Sequence, residues 1–426
     1  MKSIWSEYKI LNFPTLNENL KTEVLVIGGG ISGILCAHYL KESGKKVLLV
    51  EADRICSKKS LKTTAVITAL QDMMYHKNSV ESSKLFLNAN LFALERYKKL
   101  SEKYDFDFEE CSSYKYSKTD SLEIEKEYEF IKSTGVKVNY VSDVGLPITF
   151  KRAIEMPNQG QMNPIKLINN LAKDLVIFEN TKIEKLKKNI AYTNKNKIEF
   201  DSVVVATGYP FLKLKGWFPL KLHQVKSHVI SVENKDDYKG NGVGTNPLDI
   251  YFRNYKSELL FGSCDIKTGS DCQGFEEINE FILKHYNVKN IKYKWINEDT
   301  ISLDGFPYIG RYGKSYNMYV ATGYNLWGMT AAMLSSHIIT DLINGKENKY
   351  EKLFSPSRKV LGKPLFENVS TAVKNLFSFK GPRCSHLGCR LHYNSLDNTY
   401  ECKCHGSKYN KSGKIIDTPA QKDINI

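Results

Sequence analysis

No run of apolar residues in this chain of 426 approaches the roughly eighteen that a membrane-spanning helix needs. The first residues, Met1 to Lys9, lack the apolar core of a signal peptide. The chain also lacks internal repeats and a basic helix interleaved with aromatic residues, the kind of element that recognises bases. We therefore expect a cytoplasmic protein that binds neither membrane nor nucleic acid, although its net charge is +14.

Cysteine is scarce outside the C-terminal tail. Four of the nine cysteines lie in that tail, and the other five are scattered: Cys36, Cys56, Cys111, Cys264 and Cys272. Their spacing does not suggest disulfide pairs, as expected for a chain in a reducing compartment.

The tail contains two short strings rich in cysteine and histidine. Cys384-Ser-His386 is followed, after fifteen residues, by Cys402-Lys-Cys404-His405. Two thiolates and two imidazoles form the ligand set of an asymmetric [2Fe–2S] centre, with both thiolates on one iron and both imidazoles on the other. This pattern predicts a protein that moves electrons. A zinc knuckle uses the same ligand types and stays open as an alternative.

The two strings resemble the ligand loops of Rieske iron–sulfur proteins. The resemblance implies that Cys384, His386, Cys402 and His405 are cluster ligands. It also implies a disulfide between Cys389 and Cys404, and hydrogen bonds from Ser407 and Tyr409 to cluster sulfur, which tune the potential. We place a linker at 355–377 and a shortened module at 378–426. Because so small a unit cannot bury a sufficient core, it needs its cluster, its disulfide or the neighbouring domain for stability.

Near the N-terminus, the sequence has the pattern of a dinucleotide-binding βαβ unit. The apolar strand Lys21 to Ile27 runs into Gly28-Gly-Gly30-Ile31-Ser32-Gly33, followed by a helix and by a second strand that ends at Glu51. Gly28 allows the tight turn, Gly30 the approach of pyrophosphate and Gly33 close helix packing. The phosphates would lie at the helix N-terminus, and Glu51 would bind the ribose hydroxyls.

In the order of its later segments, the chain resembles the glycine oxidase and D-amino-acid oxidase superfamily, and more closely the FAD-dependent oxidoreductases that carry a C-terminal Rieske module. The resemblance implies an α/β fold with a Rossmann-like FAD-binding domain, an antiparallel-sheet substrate cap and a small β-type module. The oxidoreductase would span 1–354, with FAD-binding parts near 20–75, 157–210 and 300–345 and the cap near 76–156 and 211–299. Further FAD contacts would come from Ala52, Thr63, Thr64, Ala65, Ile183, Thr207, Gly208, Trp327, Gly328, Met329 and Thr330.

The cap should hold the substrate. We expect a long helix from Val80 to Tyr104 and strands at 148–156, 225–233, 248–255 and 259–263. The candidate catalytic residues are Tyr251, Arg253 and Lys267, with Thr268 beside them. Arg253 on a strand suits bidentate binding of a substrate carboxylate, although an ordinary strand arginine is an equal alternative. His223 and His228 are interpreted as structural.

Together these features predict an FAD-dependent oxidoreductase. It would pass electrons between a small substrate, such as an amine or amino acid, and the cluster, and then to a redox partner. From 355 to 426 there are twelve Lys and Arg against five Asp and Glu, a balance of +7. That balance favours binding of an acidic partner protein. The alternative is that these residues form an ordinary solvated, lysine-rich surface. Two alternatives stay open: an oxidase that uses oxygen and carries a vestigial module, and a zinc-binding interaction module.

Overall fold

The structure is a computed structural model, and it describes the chain apart from residues 121, 212–214, 271, 273, 287, 289–290, 314, 361 and 379–380. Among the described residues, the strands are β1 (Leu20–Ile27), β2 (Val47–Val50), β3 (Val66–Ile67), β4 (Glu109–Ser117), β5 (Asn139–Tyr140), β6 (Arg152–Gln161), β7 (Val176–Phe178), β8 (Lys185–Lys187), β9 (Ile190–Tyr192), β10 (Lys197–Gly208), β11 (Leu222–Glu233), β12 (Asn241–Gly244), β13 (Tyr251–Tyr255), β14 (Glu258–Lys267), β15 (Lys294–Ser302), β16 (Tyr308–Arg311), β17 (Met318–Thr322), β18 (His392–Asn394), β19 (Thr399–Glu401), β20 (Lys408–Asn410) and β21 (Ile415–Asp417).

The α-helices of the same residues are α1 (Ile31–Glu42), α2 (Val80–Lys103), α3 (Leu122–Ser133), α4 (Pro164–Ala172), α5 (Phe218–Lys221), α6 (Gly274–His285), α7 (Gly328–Ile343), α8 (Glu351–Phe354) and α9 (Lys363–Leu376). None of the helices in this described part of the chain combines the length and the apolar character needed to span a bilayer.

A mainly parallel sheet forms the first layer of the fold. Its strand order is β16-β17-β10-β1-β2-β7, with the β8–β9 hairpin added at β10. β1 pairs in parallel with both β10 and β2, and helices α1 and α7 pack against each other beside the sheet. Residues 24–27 of β1 are buried because helices cover a parallel sheet of this kind. The βαβ unit predicted from the glycine pattern is confirmed.

A second sheet forms the cap. Its order is β15-β11-β14-β13-β12-β4-β6-β3, with β5 added at β6, and its pairs are antiparallel except β12 with β4. The predicted long helix is α2, whose first turn is capped by the Ser79 hydroxyl accepting from the Ser82 N–H at 3.3 Å. The predicted strand at 148–156 begins later, at Arg152, and continues to Gln161.

The C-terminal module is a four-stranded antiparallel sheet, β18-β19-β20-β21. Its small core consists of Cys384, Cys389, Leu391, Cys402, Cys404, Tyr409 and Ala420. Residues 363–376, within the predicted linker, form α9.

Two of the scattered cysteines are paired, which corrects the sequence prediction. Cys264 and Cys272 form a disulfide. They lie eight positions apart, and the register between β11 and β14 shifts next to Cys264. The positive φ of Cys264 marks this bulge, which strand periodicity does not predict.

Candidate functional site

A cavity of about 540 Å³ opens at the carboxyl ends of β1 and β10. Many of the residues expected to bind FAD line it: Gly28, Gly30, Ile31, Ser32, Glu51, Ala52, Thr63, Ile183, Thr207, Gly208, Gly328 and Met329. Ligands bind at this edge of open α/β sheets because loops and helix N-termini converge there.

The glycine loop leaves no room for side chains at two positions. Gly28 has φ +114°, and a Cβ there would lie 2.5 Å from the Ala206 carbonyl oxygen. A Cβ on Gly33 would lie 1.8 Å from the Gly28 carbonyl oxygen. Strand, turn and helix therefore approach closely only with glycine, and the start of α1 is left open toward the cavity.

Glu51 lies at the end of β2, where the sequence predicts a ribose ligand. Its carboxylate accepts from the Gly29 N–H at 2.6 Å and the Asp53 N–H at 3.0 Å. Burial raises its pKa, and these two N–H donors oppose that rise. The carboxylate is thus fixed at the cavity wall beside the glycine loop.

Other predicted FAD residues do not line the cavity but support it. Thr64 and Ala65 present backbone carbonyls to Arg253, and the Thr330 hydroxyl accepts from Gln71 Nε2 at 2.8 Å. The Trp327 ring lies 5.8 Å from Lys115 Nζ.

The C-terminal module forms one wall of the same cavity, a feature that the sequence did not predict. Seven of its residues line the cavity: Lys414, Ile415, Ile416, Asp417, Thr418, Ala420 and Gln421. Lys182 Nζ donates to the Gln421 carbonyl at 2.9 Å across this seam. The contact joins segments 239 residues apart, which local sequence patterns do not reveal.

Buried charges hold the module on the cap. Lys226 Nζ lies 3.0 Å from Asp397 Oδ2 and 3.2 Å from Glu401 Oε2, and Lys408 Nζ lies 3.1 Å from Glu298 Oε1. All five side chains are at most 6% exposed. Lys408 therefore belongs to this interface and is not part of an outer basic surface for a partner.

The two cysteine–histidine loops have the same backbone turn. The Gly388 N–H donates to the Cys384 carbonyl at 2.9 Å, and the Gly406 N–H donates to the Cys402 carbonyl at 2.8 Å. The turns bring the rings of the two predicted histidine ligands, His386 and His405, to a centroid distance of 4.9 Å.

The surroundings of these loops suit a metal cluster. His405 Nδ1 is buried without a hydrogen-bond partner among the described residues, whereas its Nε2 donates to the Pro219 carbonyl at 2.9 Å. A ring nitrogen left open while the other is fixed by a carbonyl is the usual arrangement of a metal-binding histidine. The Tyr409 hydroxyl lies 3.4 Å from Cys384 Sγ, and Ser407 also hydrogen-bonds to this sulfur.

Cys389 and Cys404 lie beside the predicted ligands. Their sulfurs and that of Cys402 all lie within 4.8 Å of one another, and both cysteines are unbonded in this structure. Their disulfide stays a prediction.

The structure places Arg253 among backbone carbonyls of the fold. This residue is 1% exposed, and its guanidinium donates to the backbone carbonyls of Thr64, Ala65, Met162 and Asn254. Burial lowers its pKa to about 10. The guanidinium thus holds the 64–65 loop, and its contact with a substrate carboxylate stays a prediction.

The other candidate catalytic residues lie in two different places. Lys267 Nζ donates to Asn368 Oδ1 of α9 at 3.2 Å, and the fully buried Thr268 donates its N–H to the Gln224 carbonyl at 2.9 Å. Both face the seam with the module. Tyr251 instead hydrogen-bonds to Ser227 and lies near Asp265.

Comparison with known proteins agrees with this geometry. The model of the DAO family of FAD-dependent oxidoreductases matches residues 23–342, and that of the Rieske [2Fe-2S] domain matches residues 356–426. The chain therefore belongs to the DAO family of FAD-dependent oxidoreductases, and it carries a C-terminal Rieske domain.

Three similar proteins illustrate the relationship. The Bacillus subtilis protein YhfW, named as a Rieske 2Fe-2S iron-sulfur protein, is 26% identical over 97% of this chain and 94% of its own length. Gamma-glutamylputrescine oxidoreductase of Escherichia coli is 23% identical over 81% of this chain and 89% of its own. The crystal structure of glycine oxidase from Geobacillus kaustophilus, at 18% identity, aligns with a TM-score of 0.69 over 80% of this chain and 100% of that one.

The protein is thus an FAD-dependent oxidoreductase whose cofactors are FAD and a Rieske-type [2Fe-2S] cluster. The 540 Å³ cavity with its glycine loop and the buried cysteine–histidine centre fit these two groups.

Proposed function

We propose that this enzyme oxidises a small amine or amino acid and passes the electrons through its own Rieske cluster to a separate redox partner. Bound FAD supplies the acceptor for a hydride, and the cluster carries electrons one at a time. In this proposal, the chain's residues hold the two groups next to each other.

The observation that carries this proposal is the position of the histidine end of the Rieske centre. His386 and His405 are only 5% and 3% exposed, because they face the oxidoreductase domain and not solvent. His405 donates to the Pro219 carbonyl, and the His386 ring meets Tyr209 at 5.9 Å. Since Tyr209 also lines the cofactor cavity, the cluster ligands and the flavin site share one wall.

Tyr209 suits the space between the two sites. It is 1% exposed, and its hydroxyl has no hydrogen-bond partner among the described residues. Burial, together with the nearby Cys402 thiolate, raises its pKa well above its ordinary value. The residue therefore stays a neutral aromatic ring in contact with His386.

The partner would approach the outer side of the module, since the histidine side is covered. Arg383, Lys411 and Lys422 are exposed on the module. These cations would attract an acidic electron-transfer protein, and that attraction would weaken as salt screens the charges.

The test is anaerobic titration of the holoenzyme with amines and amino acids. We expect substrate to bleach the flavin absorbance and the EPR signal of a reduced cluster to appear in the same sample. In Cys402→Ser, which removes a predicted ligand, bleaching should persist and the signal should be lost. The proposal would be contradicted if the wild type and Cys402→Ser formed hydrogen peroxide equally in air and the wild type showed no cluster reduction.

A further inference from the structure

A second cavity, of about 390 Å³, opens at the seam between the C-terminal module and the cap. One of its lining residues, Gly269, comes from the cap, and the others lie between residues 381 and 403 of the module. We call this cavity the module pocket. It shares no lining residue with the cofactor cavity, so it is not part of the flavin site.

The module pocket lies beside the cysteines of the Rieske centre. Lys403, which lines the pocket, stands in the chain between the predicted ligand Cys402 and Cys404, and Arg390, which also lines it, directly follows Cys389. The histidine end of the centre is covered by the oxidoreductase domain, as described above. We therefore expect a partner protein to approach the centre from its cysteine side, where this pocket opens.

The pocket carries positive charge without a neutralising carboxylate. In the part of the chain that the structure describes, neither Arg390 nor Lys403 lies within ion-pair distance of an acidic side chain. Arg390 Nη1 donates instead to the neutral Ser378 hydroxyl at 3.3 Å. Two half-buried cations at the wall of one cavity favour an anionic ligand.

The one carboxylate among the lining residues does not cancel this charge. Glu401 is fully buried, and its Oε2 accepts from the Gly269 N–H at 2.9 Å. The same carboxylate lies 3.2 Å from Lys226 Nζ and 3.4 Å from Lys408 Nζ. Its charge is therefore offset within the seam, by lysines of the contact between cap and module.

The cap also fixes the base of one of the two cations. A Cβ on Gly269 would lie 2.7 Å from Lys403 Cγ and 3.1 Å from the Lys403 backbone nitrogen. The stem of Lys403 thus packs directly on the backbone of the cap. The pocket is therefore formed when the module is docked, before any partner arrives.

Aromatic side chains are exposed near the pocket. Tyr393 on its wall is 46% exposed, and Phe377, directly after α9, is 66% exposed. His392 Nε2 lies 3.0 Å from Asn375 Oδ1, a contact that joins the end of α9 to the pocket wall. Exposed aromatic residues next to cations are typical of protein docking surfaces, so they favour a protein over a free small anion.

We propose that the module pocket receives a carboxylate side chain of an acidic electron-transfer protein, which takes electrons from the cysteine side of the Rieske centre. This inference rests on the proposed function and gives its redox partner a place on the chain. Each encounter moves one electron out of the reduced enzyme and reduces the oxidised redox centre of the partner. No covalent bond forms or breaks.

The experiment compares two acceptor proteins of opposite surface charge, an acidic plastocyanin and a basic cytochrome c, each of which accepts one electron. Binding to the oxidised holoenzyme is measured by calorimetry. The rate of acceptor reduction by photoreduced holoenzyme is measured by stopped-flow absorbance. We expect plastocyanin to bind more tightly and to be reduced faster than cytochrome c, with an affinity that falls as salt is added.

The variants Arg390→Gln and Lys403→Gln should each weaken plastocyanin binding and slow its reduction roughly 3- to 10-fold, because each removes one attracting charge. Arg390→Lys keeps the charge and should restore most of both. The control is Lys195→Gln, which removes an exposed lysine from the turn between β9 and β10 and should behave as the wild type does. Absence of plastocyanin binding, preference for cytochrome c, or pocket variants equal to Lys195→Gln would overturn the inference.

Flavin content, iron content and the dithionite-reduced EPR signal are recorded on the same samples. Arg390 is not next to a predicted cluster ligand, so its variants decide the test even if Lys403→Gln loses iron. A wild-type enzyme whose flavin reduces the cluster but which ignores plastocyanin would defeat this inference alone. A wild-type enzyme whose flavin does not reduce the cluster would defeat the proposed function and this inference with it.

Discussion

The ring of Tyr209 meets the ring of His386 edge-on, with centroids 5.9 Å apart and planes at 81°. One residue lines the cofactor cavity and the other belongs to the Rieske ligand loops, which lie 177 positions further along the chain. The contact places an aromatic ring between the cofactor cavity and the Rieske ligand loops.

Replacing Tyr209 should separate electron transfer from substrate oxidation. In Tyr209→Leu, which removes the ring, we expect substrate to bleach the flavin at the wild-type rate and the cluster to be reduced more slowly, as measured by rapid-freeze EPR. Tyr209→Phe keeps the ring and removes a buried hydroxyl without a partner, so it should transfer electrons normally and gain about 1 kcal/mol of stability. Equal cluster reduction in both variants would exclude a role for the ring.

The contact of the module with the cap should control retention of FAD. A Cβ on Gly406 would lie 2.4 Å from Gln224 Cβ, whereas one on Gly388 would have Leu376 Cδ1 at 3.8 Å as its nearest neighbour. Both glycines have positive φ, so both alanine variants bear a similar backbone strain of roughly 1–2 kcal/mol.

Only Gly406→Ala should push the module away from the cavity that its residues 414–421 help to close. We expect this variant to lose FAD faster on dilution, as measured by the fluorescence of released flavin, and Gly388→Ala to resemble the wild type. Identical release from the two variants would show that the module does not retain FAD.

The buried charges between cap and module should dominate the stability of their contact. Lys226→Met leaves Asp397 and Glu401 buried with one cation fewer, and we expect a loss of roughly 3–5 kcal/mol in the free energy of unfolding. The control is Lys197→Met, because Lys197 and Glu199 are both nearly half exposed, and a change within about 0.5 kcal/mol is expected. Urea denaturation measures both, and similar losses would contradict this account.

The buried carboxyl of Asp265 should make stability depend on pH. The pKa of Asp265 is about 8 in the folded state, above its ordinary value. Its protonated carboxyl therefore contributes fully to the free energy of unfolding in acid, and this contribution is lost as the pH rises from about 4 to about 8. The charged and titratable groups around it are Asp299, Asp72, Lys115 and Tyr251. Burial also raises the pKa of Glu298 to about 7, which acts in the same direction.

In Asp265→Asn, the free energy of unfolding should therefore fall less steeply between pH 5 and pH 8, by up to about 1.4 kcal/mol per pH unit. Part of the pH dependence should remain because the pKa of Glu298 is also raised. Denaturation midpoints across this range measure the effect. A variant that keeps the full wild-type slope would show that Asp265 is ionised throughout.

Local patterns were sufficient to predict the parts of the fold that depend on neighbouring residues. Gly28 to Glu51 predicted the βαβ unit, and Val80 to Tyr104 predicted α2, because turn geometry and helical periodicity depend on residues that are close in sequence. The two Rieske loops were recognisable for the same reason, since their spacing is local.

Contacts between distant segments were not predictable. Arg253 alternates correctly on β13, yet the carbonyls it binds come from residues 64, 65 and 162. Lys267 and Thr268 lie in the cap but face the module, and the pairing of Cys264 with Cys272 depends on a bulge. In each case the partner is set by tertiary packing, which overrides the local pattern.

The measurement that tests the central claim most directly is light-driven anaerobic reduction of the flavin, followed by low-temperature EPR, with iron and zinc determined on the same sample. This choice does not depend on the identity of the substrate. We predict about two irons per chain and a rhombic signal with an average g below the free-electron value, appearing as the flavin bleaches. If the flavin bleaches and no cluster signal appears, or if the protein contains zinc in place of iron, the two cofactors do not act as one electron-transfer unit and the account is contradicted.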